Sequence, residues 1–235
     1  MPALAPAAVP AAVHAPVQRP DRALVLVALS PLAVILLGHL TARLAAAIEP
    51  QLAWVAVAIV YWGAMSAVVL LSTTGAQRRA WLAPAVRRPW WVIPAALLLG
   101  AIPIGGILAM QLPLVAANAA LIAPWLLFAL INPVFEQAYW RGAVQDATAR
   151  WPAWLAAAWI TVLFVASHPL MWGVFSEGNR SPMLYGTLAL MAVAWFWMRR
   201  VTGSLRWPLV SHVLVDLGNL SVFVFLNVYV PPALG

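Results

Sequence analysis

Glu136, His168, His212 and Asp216 are titratable side chains set inside long apolar runs. Ionisable groups in such surroundings are expensive to bury, so by default they mark a functional site. Carboxylate and imidazole are the side chains best suited to move protons near neutral pH. They are also competent zinc ligands, and a hydrolytic zinc site needs three protein ligands plus water, here Glu136, His168 and His212. His39 is a further titratable group within an apolar run, and it reads as a packing histidine because its own segment offers no partner at matching spacing.

Spacing adds detail. Residues four apart share a helix face, which pairs His212 with Asp216, Phe164 with His168 and Gln137 with Arg141; Asn132 shares a face with Glu136, and Asn219 continues the His212–Asp216 stripe. Glu136 and Arg141 are five apart, about 140° around an α-helix, so Arg141 is expected to orient Gln137 or a neighbouring helix rather than pair with Glu136. Measured from the arginine-rich helix ends, Glu136, His168, His212 and Asp216 lie roughly 18, 24, 14 and 20 Å deep at the α-helical rise. Three helices thus deliver their polar groups to one layer, near the bilayer middle or opening toward the cytoplasm.

The elements that hold these residues must be membrane helices. The 235-residue chain is 65% hydrophobic and 8% charged, against about a quarter charged in an ordinary soluble domain. This makes it an all-α, polytopic transmembrane bundle. Seven apolar spans are expected at about 23–47, 51–72, 89–110, 119–148, 152–171, 183–200 and 207–230, each near the ~20 residues that cross a bilayer. The fourth should be kinked or broken at Pro124 and Pro133. Residues 1–22 read as a flexible Ala/Pro-rich tail, leaving 23–235 as the transmembrane domain. The connection 76–89 reads either as a basic loop or as a short interfacial helix. Gly105 and Gly106 point to close helix packing or a bend.

All thirteen basic residues are arginine. They concentrate at alternate ends of the spans, and by the positive-inside rule this places the N-terminus in the cytoplasm. The positive charge therefore orients the chain and implies no nucleic-acid partner. An alanine- and arginine-rich chain without lysine points to a bacterial cytoplasmic (inner) membrane. The absence of cysteine excludes thiolate catalysis, disulfides and Cys-ligated metals.

Glu136-Gln137-Ala138-Tyr139-Trp140-Arg141-Gly142, Phe164-Val165-Ala166-Ser167-His168 and His212-Val213-Leu214-Val215-Asp216 resemble, in order, the three motifs of the CPBP family. That family comprises CAAX-prenyl-protein endopeptidases and bacteriocin-processing or immunity proteins, also called Abi proteins. The resemblance spans about 119–220. It implies an intramembrane endopeptidase without a cofactor, with Glu136 and His168 activating water and zinc as the alternative. His212 and Asp216 would polarise the carbonyl, with Gln137, Arg141, Phe164, Asn132 and Asn219 in support. Gln137 stands where the family has a second glutamate, and this departure favours the alternative of a non-catalytic scaffold or immunity protein. A serine nucleophile at Ser211, Ser167 or Ser204 fits less well, because helix neighbours point about 100° apart. The expected partners are the lipid bilayer and a protein or peptide substrate, such as a C-terminal sorting tail or a leader peptide.

Overall fold

The computed structural model describes residues 21–85 and 87–232; the tail expected over 1–22 falls, but for its last two residues, outside the described residues. All regular elements among the described residues are helical. They are α1 (Asp21–Ile48), α2 (Ala53–Ser72), the short α3 (Gly75–Trp81), α4 (Val92–Ala117), α5 (Ala119–Ala147), α6 (Ala153–Leu170), α7 (Pro182–Thr202), α8 (Arg206–Gly218) and the short α9 (Ser221–Phe225).

Five helices are long and apolar enough to cross a membrane: α1, α2, α4, α5 and α6, the last extended by a turn at Trp172–Val174. The protein is a multi-pass membrane protein. The sixth expected span forms α7, whose Trp, Tyr and Arg side chains dilute its apolar character. The seventh is not one long helix. It stops at Gly218, turns through Leu220 at φ 57°, and resumes as α9.

The fourth span is not broken at Pro124 or Pro133. Ala119–Ala147 runs without interruption, and Pro133 sits inside its α-helical stretch. The irregularity comes after Glu136, where Gln137–Val144 is a π-helix. Hydrogen bonds from i to i+5 widen each turn by somewhat less than a residue and so shift the angular register of the side chains that follow. This changes where Gln137 and Arg141 point.

Lipid-facing apolar side chains surround the bundle, with Leu26, Leu71 and Leu98 among the exposed ones, because hydrocarbon solvates them as well as protein does. Contacts between helices are made by aromatic rings and small residues. A Cβ at Gly218 would stand 2.5 Å from the backbone nitrogen of Ile104, and one at Gly100 would stand 2.2 Å from Leu214 Cβ. These two glycines let α8 lie directly on α4, the small-residue packing membrane helices favour. Gly105 and Gly106 do not pack this way. A Cβ there would meet nothing within 4 Å, and both sit in a second π segment, Ile104–Leu108.

The short α3 is an N-capped surface turn that folds back on the bundle. Thr74 and Gln77 form a reciprocal capping box. Trp81 is buried against Gly142, where any Cβ would stand 2.7 Å from the indole. Its Nε1 donates to Asp146 at 2.9 Å, which pins the 76–89 connection to the end of α5.

Candidate active site

Helices α4 to α9 all line one cavity of about 460 Å³, and its walls include Glu136, His168, His212 and Asp216. Glu136 comes from α5, His168 from α6, and His212 and Asp216 from α8, one turn apart. α7 closes the remaining side with Trp195, whose ring stacks on His212 at 4.4 Å between centroids.

His212 is the hub. Its Nε2 lies 3.5 Å from Glu136 Oε2 and 3.5 Å from Asp216 Oδ1. Its Nδ1 lies 3.1 Å from Gln137 Nε2. An amide nitrogen only donates, so Nδ1 accepts, and in the neutral ring the proton sits on Nε2. That N–H points toward the two carboxylates at the cavity wall.

The two histidines are held in opposite tautomers. Phe164 O can only accept, so the His168 Nδ1–H donates to it at 3.0 Å. Ser167 Oγ, which donates to the same carbonyl at 2.7 Å, lies 3.2 Å from Nδ1. In neutral His168, Nε2 therefore keeps a free lone pair. One ring is set to accept a proton and the other to donate a hydrogen bond.

Each carboxylate is anchored from behind. Asn132 Nδ2 donates to Asp216 Oδ2 at 3.0 Å, and its own carbonyl accepts from Trp62 Nε1 at 2.9 Å. Trp140 Nε1 donates to the Tyr61 hydroxyl at 3.0 Å, and that hydroxyl lies beside the Glu136 carboxyl. Among the described residues Glu136 Oε2 is buried and has no hydrogen-bond partner. Ser221 Oγ donates to Asn219 Oδ1 at 2.7 Å, so Asn219 lines the cavity but is held by Ser221 rather than by His212.

Arg141 is fully buried and does not snorkel to the surface. Its guanidinium lies 4.5 Å from the Phe164 ring and 5.0 Å from the Trp195 ring, and none of its three nitrogens has a hydrogen-bond partner. The expected Gln137–Arg141 pairing gives way to two separate contacts within the π segment. Gln137 turns to His212 and Arg141 to the rings. His39, expected to be a packing histidine, pairs its Nδ1 with Leu170 O at 2.6 Å.

Tyr61, Trp62 and Trp195 carry no signal in the sequence. Aromatic residues in apolar spans read as packing, and only the folded contacts show that they hold Glu136, Asn132 and His212. Among the described residues no group of three or more His, Cys, Asp or Glu side chains is arranged to hold a metal ion.

Residues 116–218 match the family model described as type II CAAX prenyl endopeptidase Rce1-like, the same family to which the three motifs point. The matched segment contains every residue of the His212 hub and leaves out α1 and α2, which supply Tyr61 and Trp62. No curated protein and no solved structure matches the chain.

Proposed function

Taking an Rce1-like core over residues 116–218 as the premise, we propose that the chain is an intramembrane endopeptidase that cleaves a membrane-associated protein or peptide with water activated by Glu136 and His168. The observation that carries this reading is the gathering of Glu136, His168, His212 and Asp216 from three helices on one cavity, with His212 Nε2 3.5 Å from both carboxylates.

The steps follow from the donors and acceptors. A water in the cavity donates one hydrogen to Glu136 and another to the free Nε2 of His168. As its oxygen attacks the peptide carbonyl, the proton passes to this pair. The Nε2–H of His212 donates to the carbonyl oxygen as negative charge develops there, the kind of stabilisation an oxyanion needs. Asp216 accepts from Asn132 and holds His212 in place. The proton taken up is then given to the departing amine.

Glu136→Ala and His168→Ala are each expected to reduce cleavage by about 10²–10⁴-fold, the usual contribution of a general base, with membrane insertion unchanged. Retained cleavage in either variant would overturn the proposal. In the proposed chemistry no metal takes part, so cleavage by purified protein should survive a strong chelator; loss restored by zinc would require the alternative. A non-catalytic scaffold is the second reading, favoured by Gln137 in place of an acidic residue. It requires both alanine variants to keep the full biological effect.

A further inference from the structure

The arginines divide the bundle into two unlike rims. Arg22, Arg78, Arg79, Arg87, Arg88, Arg150, Arg199, Arg200 and Arg206 all lie at one end of the helices. That end is tied together, since Leu205 N donates to Trp81 O at 2.7 Å, Arg206 Nε to Leu82 O at 2.6 Å, and Arg199 pairs with Asp146 at 3.3 Å. The opposite rim carries Arg43 and Arg180 balanced by Glu49 and Glu177. It has its own ties, from Glu177 N to Asn227 Oδ1 at 2.9 Å and from Ser176 Oγ to Val224 O at 2.8 Å. Such a charge imbalance marks the arginine rim as cytoplasmic.

The cavity reaches from the middle of the bundle to the other rim. Its lining residues sit near mid-helix on α4, α5 and α8, continue into the connections of the neutral rim, and include none of the arginine-rim connections. On α4 they begin at Leu99, beyond the helix start at Val92. α6 supplies Phe164 and His168, in its last two turns, and α8 supplies His212 through Asp216, ending at Gly218. α7 contributes residues from Met183, at its neutral-rim start, to Trp195, just past its middle. The lining continues outward through Asn179 and Ser181 to Tyr229 and Pro232. None of the residues 137–147, which lead toward the arginine rim, takes part. Exposed lining residues Ile102 and Gly106 on α4 and Thr187 and Leu190 on α7 are apolar or small, and they flank a sideways opening toward lipid.

We infer that the catalytic cavity is entered from the non-cytoplasmic half of the membrane, and that its substrate is the apolar tether of a protein already translocated across that membrane. This rests on the endopeptidase reading for the chemistry but not for the direction of access. A tether sliding between α4 and α7 presents its outer-leaflet bond to Glu136, whereas a cytoplasmic tail would have to cross the closed arginine rim. This direction of access differs from the sequence-based expectation of an opening toward the cytoplasm, and it is compatible with the alternative of a site near the bilayer middle.

The chain has no cysteine, so single-cysteine variants report access without background. Ser181→Cys and Met183→Cys place a thiol in the outer part of the cavity, and Arg87→Cys marks the arginine rim. Each full-length variant is treated in right-side-out and inverted membrane vesicles with a membrane-impermeant maleimide, with a permeant maleimide as the total. Ser181→Cys and Met183→Cys are expected to react only in right-side-out vesicles, and Arg87→Cys only in inverted ones. Labelling of either cavity cysteine from the Arg87 side, or of neither from any side, would overturn the inference. Repeating the labelling with Glu136→Ala keeps the two claims separate. Unchanged labelling with no cleavage by the wild type would refute the endopeptidase and leave the direction of access standing.

Discussion

At the scale of single residues, Gln137 is the decisive position. Its amide donates to His212 Nδ1 and so fixes the ring proton on Nε2. A carboxylate can only accept, so Gln137→Glu would call the proton to Nδ1 and leave Nε2 either bare or part of an imidazolium. We expect this variant to change the pH profile of cleavage and the ¹⁵N shifts of the His212 ring while keeping Tm; an unchanged ring tautomer would contradict the assignment. Asn132→Ala strands Trp62 Nε1 and Asp216 Oδ2 together. Each buried group left unpaired costs about 1–3 kcal/mol, so thermal unfolding in detergent should fall clearly; an unaltered Tm would show that the link carries no stability. The motif residues were legible because polar groups stand out against apolar sequence and their four-residue spacing survives in α6 and α8. The aromatic half of the site was not. Tyr61 and Trp195 look like any other ring in a membrane span until their partners are known.

At the scale of elements, two devices set where those residues sit, and neither can be read from hydropathy. The π-helix at Gln137–Val144 sends Gln137 and Arg141 to different neighbours, so the α-helical wheel placed Glu136 and His212 usefully but misplaced the pair that follows. Apolar runs located α5 and α6 to within a residue or two, yet they merged α8 and α9 into one span, because a left-handed turn at Leu220 leaves no mark in hydropathy. The second device is the α4–α8 contact through Gly218 and Gly100. Gly218→Ala would force a methyl group against the α4 backbone at Pro103 and Ile104, which cannot move aside as a flexible side chain would. Overpacking of this kind costs about 1–3 kcal/mol, and here it also displaces Asp216 and His212 from Glu136. We expect a lowered Tm together with a loss of cleavage; a variant with normal stability and activity would show that the close approach is not required.

At the scale of the whole molecule, the fold class was readable from composition alone, since a chain with so little charge has only lipid to face. The count of spans was less so. Two of the seven expected segments fall short of an apolar crossing helix, and both α7 and α8 carry cavity residues. The polar and aromatic side chains that α7 and α8 turn to the cavity are also ones that dilute their hydropathy. The central claim is that Glu136 drives peptide hydrolysis at this site. Mass-spectrometric mapping of the N- and C-termini of membrane-tethered proteins, in cells carrying either the wild-type chain or Glu136→Ala at equal abundance, tests it most directly. The expected result is a defined set of termini present with the wild type, absent with the variant and restored when the wild-type chain is returned. Identical termini in both would contradict the account.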